Sequence, residues 1–302
     1  MDLKKYEVFV KTVECGSFSE AARLLGYTQS NVTHMIQGLE SYFGFSLMVR
    51  NKGGIMLTEN GKQILPYMEK VLEDNRHMMQ VVEEINGLEI GVLRIGTFAS
   101  VATQWLPECI QRFKKDFPGI QIELFDYDPS EIENHLIEGK LDIGFLTETE
   151  NLKVDFLPLH KDEMKAILPD KVPYTDMDRY PVKRYEKDPF IFPTQGMDWD
   201  VNNIIKKEKL RPNKAYYVHG DDAIIAMVEH GLGVGLLPEL FLMERNLSLL
   251  VKSLEPQHYR IIGMGYSRYK TNQRIVRKFT EYLLRVVKDK CGETIDEPDR
   301  RV

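Results

Sequence analysis

The sequence predicts two architectures in one chain. Residues 1–58 read as an all-α winged helix-turn-helix, residues 59–90 as a long linker helix with a hinge, and residues 91–302 as an α/β domain of two Rossmann-like lobes. Three observations carry this prediction. Capping residues and glycine stops divide the first segment into short amphipathic helices. Apolar residues then recur in steps of four and three from Ile64 to Ile85. From Val92 onward, strand-like and helix-like patterns alternate, the signature of a layered α/β domain.

Residues 2–14 place Leu3, Tyr6, Val10 and Val13 on one helical face. Ser17 and Glu20 form the spacing of a capping box at the start of a second helix, in which a hydroxyl and a carboxylate satisfy each other's backbone donors. Small residues Ala21 and Ala22 permit close packing, and Gly26 ends the helix, since glycine adopts the left-handed conformation of a helix stop freely. Thr28 caps a third helix whose Val32, Met35, Ile36 and Leu39 make an apolar stripe. Helix, short glycine turn and helix is the helix-turn-helix arrangement. The run LMVRNKGGIMLT then offers two short strands around a Lys-Gly-Gly turn, a hairpin or wing.

Thr58 caps a helix running to about Asn86, with Gly87 as its stop. Ile64, Met68, Val71, Asn75, Met78, Val82 and Ile85 follow a coiled-coil period with Asn75 as its single polar knob, which predicts pairing of two helices. Leu65, Leu72 and Met79 add a neighbouring apolar line, so the helix is expected to dimerise on one side and touch another element on the other. Pro66 removes one backbone hydrogen bond and is expected to bend it.

In the α/β half, strands at VLRIG, IQIELF and LDIGFL alternate with helices at WLPECIQRFKKDF and SEIENHLIEG. That order predicts a parallel sheet with right-handed crossovers. A second set follows at EMKAIL, PFIFP, WDVNNIIKKE, AYYVH, DAIIAMVEH and VGLLP, and the chain closes with IIGMGY and IVRKFTEYLLRVV. The pattern assigns about 91–161 and 266–302 to lobe I and about 162–265 to lobe II. Two α/β lobes imply a cleft between them, a favoured ligand site.

The composition, 43% apolar and 28% charged, is that of a globular protein. No apolar run approaches the roughly 18 residues needed to cross a bilayer. The start, MDLKKYEVFVKTVE, lacks a signal-peptide core, so no membrane partner and no export are expected. Cys15, Cys109 and Cys291 are widely spaced and odd in number, which fits a reduced cytoplasm and gives no paired redox motif. The net charge is −6, but its distribution is uneven. Residues 1–58 carry six basic and five acidic side chains, residues 59–90 three and seven, and the remainder 31 and 34. Only the first segment lacks an acidic excess, so a nucleic-acid surface belongs there.

With these parts in place, the chain resembles the LysR-type transcriptional regulators. The resemblance is carried by FVKTVECGSFSEAARLLGYTQSNVTHMIQGLESYFGFSLMVR and LTENGKQILPY, then by VLRIG, LPECIQRFKKDFPGIQIEL, IEGKLDIGF and GLGVGLLP in the expected order. It implies a cytoplasmic homodimer or homotetramer held through the long helices of residues 59–86. It also implies double-stranded DNA as partner near a promoter, where contact with RNA polymerase fits. In the α/β half it implies a fold like the type 2 periplasmic binding proteins and a small-molecule co-inducer in the cleft, with no other cofactor. The sequence departs from the family pattern at Ser30, where many members have proline. It lacks an arginine near positions 34–38, and Asp128 stands at a loop position that is frequently glycine.

Reading bases requires donors and acceptors that match base edges, not charges. Gln29 can pair bidentately with adenine, while Asn31, Thr33, His34 and Gln37 can add hydrogen bonds or a methyl contact. Residues 30, 33, 34 and 37 share the face opposite the apolar stripe, and the resemblance singles out Gln29, Ser30, Thr33 and His34. Phosphate contacts are expected from Arg50 and Lys52 on the wing and from the N-termini of helices two and three. Lys4, Lys5 and Arg23 are weaker candidates.

For the cleft, Ser100 lies after the first strand near the start of a helix, a place that suits an anionic group. The resemblance adds Phe98, the loop Asp128–Ser130, Thr147, the segment PTQG at 193–196 with Gln195 and Gly196, and His219–Gly220. Trp199 is a further apolar wall. Asp128, Asp221 and Asp222 would repel a dicarboxylate if they point inward, which leaves room for an amine or zwitterion. The rival classes are an α/β enzyme and a solute-binding protein. GLGVG at 231–235 follows a helix and precedes a strand, the reverse of a dinucleotide fingerprint. His160, Asp162 and Glu163 cluster on a crossover segment, where such charge is expected to be solvated. A solute-binding protein would need export and no DNA module.

Overall fold

The computed structural model describes residues 2–51, 54–85, 91–149, 151–194, 199–266 and 274–292. The chain forms two compact units, Met1–Leu88 and Glu89–Val302.

In the first unit, α1 (Leu3–Cys15) starts at Asp2, whose carboxylate accepts the Lys4 N–H at 3.0 Å. The helix α2 (Phe18–Leu25) starts at Ser17, whose hydroxyl accepts the Glu20 N–H at 3.3 Å. Glu20 itself pairs with Arg23, so it serves as a local counter-ion to that guanidinium. Gly26 makes the turn at φ +70°. The helix α3 (Gln29–Phe43) begins at Thr28, whose hydroxyl accepts the Asn31 N–H at 3.2 Å. Its Val32, Ile36 and Leu39 are buried against Tyr6, Phe9, Ala22 and Leu47. On α1 the buried face runs through Tyr6, Val8, Phe9 and Thr12, while Val10 and Val13 sit at its margin.

The wing is an antiparallel hairpin of β1 (Met48–Asn51) and β2 (Gly54–Leu57). Glu40, the one formal charge in the stretch 26–40, accepts the N–H groups of Leu47 and Met48 at 2.7 and 3.3 Å. Its carboxylate therefore fastens the wing to α3. The long α4 (Glu59–Ile85) is capped by Thr58, which accepts the Gly61 N–H at 2.9 Å and donates to the Ser46 carbonyl at 2.7 Å. A Cβ on Gly61 would collide with the Leu47 carbonyl oxygen.

The apolar line on α4 divides. Ile64, Leu65, Met68 and Leu72 pack on the helix-turn-helix core, with Met68 only 2% exposed. Val71, Met78, Met79 and Val82 face solvent. Ile64 and Met68, which the period assigns to an intersubunit seam, thus belong to the core within the chain, because the first turns of α4 lie along α1. Gly87 lies outside the described residues.

The second unit opens with β3 (Gly91–Thr97), α5 (Ala99–Gln104), α6 (Leu106–Asp116), β4 (Ile120–Asp126), α7 (Pro129–Ile137) and β5 (Ile143–Thr147). The long β6 (Asp155–Leu168) leads into the second lobe, with β7 (Tyr180–Pro181), a 3-10 turn at Val182–Glu186, β8 (Phe190–Pro193), α8 (Trp199–Glu208) and β9 (Lys214–Val218). Then come α9 (Asp221–Glu229), β10 (Gly235–Pro238), α10 (Glu239–Leu242) and β11 (Leu250–Glu255), followed by β12 (Tyr259–Tyr266) and α11 (Arg274–Cys291). The main sheet has the order β4-β3-β5-β12-β6-β11-β7, with β10 also on β6.

The sheet is mixed, not parallel throughout. Strands β3, β4 and β5 are parallel, but β12 runs antiparallel to β5 and β6. The reason is connectivity: β12 returns from the second lobe and enters the first sheet from the opposite end. Because Ile262–Tyr266 pair with Ile143–Thr147, this strand belongs to the first lobe's sheet, whereas the sequence pattern put it in lobe II. The first part of β6 pairs with β12 and its last residues with β10 and β11, so one strand is common to both lobes. The sequence pattern finds only its second half. Pro158 and the charged Lys161, Asp162 and Glu163 mask the rest, and the β6–β12 register shifts beside Pro158.

Candidate functional site

On the first unit the buried stripe of α3 fixes what its other face presents. Gln29, Ser30, Asn31, His34 and Gln37 are exposed and Thr33 half-exposed. The Gln29 amide oxygen accepts the Ser19 hydroxyl at 3.0 Å, which orients that side chain from α2 and leaves its NH2 group free to donate. The Thr33 hydroxyl donates to the Gln29 carbonyl at 2.9 Å. Arg50 lies on β1 opposite Ile55, and Lys52 lies outside the described residues. Arg23 is compensated by Glu20. Lys5 lies over Gly38 of α3, its ammonium 3.0 Å from where a Cβ would stand. An exposed, uncharged polar face of this kind can read base edges in a major groove.

The second unit contains a cavity of about 490 Å³ between its lobes. Phe98, Ser100, Asp128, Thr147, Trp199 and His219 line it, as the sequence expects. Ser130 is exposed and does not line it, since the first turn of α7 turns its neighbours Pro129 and Glu131 inward instead. Gln195 and Gly196 lie outside the described residues. His219 Nδ1 shares a hydrogen with the Thr194 hydroxyl at 3.0 Å.

The residue that organises the cavity is Arg260 on β12, which sequence reasoning missed. Its Nε donates to Asp162 Oδ2 at 2.9 Å, with Nη2 2.8 Å from the same oxygen, and Nη1 donates to Asp200 Oδ2 at 3.1 Å. Nη2 also donates to the Ser100 hydroxyl at 2.9 Å, and the guanidinium stands 5.2 Å from the Phe98 ring centre. Ser100 is 2% exposed, and its oxygen is engaged by this arginine, so the anion site expected there is already served by the protein.

Asp162 is 1% exposed and its other oxygen accepts the Leu240 N–H at 2.9 Å. The expectation of a solvated cluster fails for this residue because β6 is an interior strand shared by both lobes. Burial works against the charge of Arg260, but Asp162 and Asp200 outweigh it and hold the pKa above its usual value. Burial pushes Asp200 and Asp221 up, with Arg260 opposing in both. Only the Asp of a KDE run hinted at this network; the Arg–Asp pairing spans 98 positions in the chain and leaves no local pattern.

Elsewhere, Gly233 approaches the Pro189 carbonyl so closely that a Cβ would collide. Gly233 and Gly235 thus serve packing at the start of β10, while Gly231 turns the chain at φ +73°. Cys109 is buried, with its thiol pushed up to about 12 by burial, so the reactive thiolate is suppressed.

A winged helix-turn-helix followed by a two-lobed α/β fold around a cavity is the architecture of a DNA-binding transcriptional regulator. Residues 3–62 match the family description "Bacterial regulatory helix-turn-helix protein, lysR family", and residues 86–288 match "LysR substrate binding domain". The chain belongs to the LysR family of transcriptional regulators. Among curated relatives, YvbU of Bacillus subtilis (strain 168), an uncharacterised HTH-type transcriptional regulator, is 29% identical over 93% of this chain and 97% of its own length. LrrA of Synechococcus elongatus, a probable HTH-type transcriptional regulator, is 28% identical over 87% and 90%. Among solved structures, CbnR in complex with its target DNA has a TM-score of 0.69 at 18% identity, covering 95% of this chain and all of that one. A full-length OxyR from Pseudomonas aeruginosa has the same TM-score and identity over 94% and 98%. These relatives are regulators, not enzymes, and no helix among the described residues is long and apolar enough to cross a membrane.

Proposed function

We propose that the protein binds specific double-stranded DNA through α3, with the wing gripping phosphate, and that a small molecule in the interlobe cavity modulates this binding. Gln29, Ser30, Asn31, Thr33, His34 and Gln37 read bases, while Arg50 and Lys52 contact the backbone. The protein acts in the cytoplasm as a homodimer or homotetramer, assembled through the solvent-facing residues Val71, Met78, Met79 and Val82 of α4, and bound near a promoter it contacts RNA polymerase. The observation that carries the reading is the polar, uncharged face of α3 held opposite the buried Val32, Ile36 and Leu39.

Such a face supplies specificity but little nonspecific grip, because phosphate contacts dominate affinity and its salt dependence. Paired subunits multiply the few contacts of each chain through effective concentration. Selection of bound fragments from genomic DNA, followed by footprinting, tests this. The expected result is a small set of sites with dyad symmetry, protected over two successive major-groove faces. Uniform recovery of all fragments contradicts it.

A further inference from the structure

We propose that the interlobe cavity is selective for a ligand bearing a protonated amine or guanidinium on an apolar or aromatic body, and discriminates against simple carboxylic acids. This rests on the reading that the cavity is the effector site. Three observations together set the ligand class: the state of the one buried arginine, the charge of the lining, and the character of its walls.

Among the described residues, Arg260 is the only lysine or arginine lining the cavity, and six carboxylates line it with that arginine. Its side chain is 9% exposed, and its donors are directed at Asp162, Asp200 and Ser100. Two carboxylates already surround the one cation, so an entering carboxylate meets net negative charge where it would need positive. To use Arg260 it would have to displace Asp200 and leave that carboxylate buried without its cation, an unfavourable exchange.

The other acids are available in different degrees. Glu131 accepts the Asp128 N–H at 3.1 Å, and Asp222 pairs with Arg245. The carboxylates of Asp126 and Asp221 line the cavity and accept no hydrogen bond among the described residues. Asp221 is half-buried in the first turn of α9, and burial raises its pKa. A cation beside it replaces lost hydration with a charge-assisted hydrogen bond. The remaining wall includes Phe98, Trp199 and Phe241, faces on which a cation or an aromatic body is held well. The ligand that complements this lining carries its positive charge toward Asp126 and Asp221 and its apolar part toward the aromatic residues.

The test uses the full-length protein and a charge-matched set of probes: benzylamine, putrescine and lysine against benzoate, succinate and neutral benzamide. Binding is read by calorimetry and by the shift in melting temperature. The expected result is binding by at least one amine probe, with an affinity tenfold or more above its acid counterpart. Asp126→Asn and Asp221→Asn each weaken it tenfold or more, while Asp178→Asn, an exposed residue away from the cavity, changes nothing. Circular dichroism and the unliganded melting temperature confirm that each variant folds.

Tighter binding by benzoate or succinate, abolished by Phe98→Ala, overturns the amine class and keeps the cavity as the effector site. Amine binding that neither aspartate variant alters overturns both. Silence of every probe overturns the amine class; the effector reading is then judged separately, by whether a low-molecular-mass cell extract shifts the melting temperature of the wild type but not of Phe98→Ala.

Discussion

Asp162 and Arg260 make the second unit's stability depend on a pair that is nearly out of reach of water, at 0% and 9% side-chain exposure. Removing Asp162 leaves Arg260 buried with Asp200 as its remaining counter-ion and the Leu240 N–H without its acceptor, so Asp162→Ala is expected to cost about 3 kcal/mol, the low end for a broken buried pair. Urea unfolding followed in the second unit measures it, and a cost near zero would show that the arginine finds water instead. His258 carries a pH prediction. Burial lowers its pKa, against the pull of Glu208. A histidine depressed in the folded state contributes stability that is full above its unfolded value of about 6.5 and is lost as pH falls through its folded value. Stability of the second unit is therefore expected to fall as pH drops below about 6.5, with a shallower fall in His258→Gln; equal slopes for the two proteins would contradict this. Neither pair is legible in the sequence, because each joins distant segments, whereas the exposed face of α3 is legible because its period sits beside the apolar stripe.

At the scale of elements, local rules account for the first unit well. Thr28 and Thr58 cap their helices as their side-chain chemistry dictates, and Thr28→Ala is expected to cost about 1 kcal/mol, seen as a lower melting temperature. The long α4 is less legible, since one period serves two partners. Met68 faces the core and Met78 faces solvent, although both fall on the same sequence seam. The account predicts different consequences for the two. Met68→Ala destabilises the unit by about 2–5 kcal/mol, whereas Met78→Glu leaves its melting temperature unchanged and shifts the oligomer toward monomer in sedimentation analysis. A stable oligomer in Met78→Glu would remove α4's exposed face from the assembly. In the second unit, strands flanked by turn signals are found from pattern alone. The mixed direction of the sheet is not, because the direction of β12 depends on a return from the other lobe rather than on its own residues.

For the whole molecule, a net charge of −6 and a recognition helix without lysine or arginine look unfavourable for binding a polyanion. The difficulty resolves once charge and reading are assigned to different places. The single acid of that stretch, Glu40, is spent on the wing's backbone, so the surface offered to DNA is neutral and polar. On the proposed function, nonspecific affinity is expected to be weak and specific affinity to depend on base contacts and on assembly. The most direct measurement is a DNA-binding titration at several salt concentrations, on a selected site and on its scrambled counterpart, for the wild type and Gln29→Ala. The account predicts that Gln29→Ala loses about 1–3 kcal/mol on the selected site, with the scrambled DNA and the salt slope unchanged. A variant that weakens both DNAs equally and flattens the slope, or that binds the selected site like the wild type, would contradict base reading by α3.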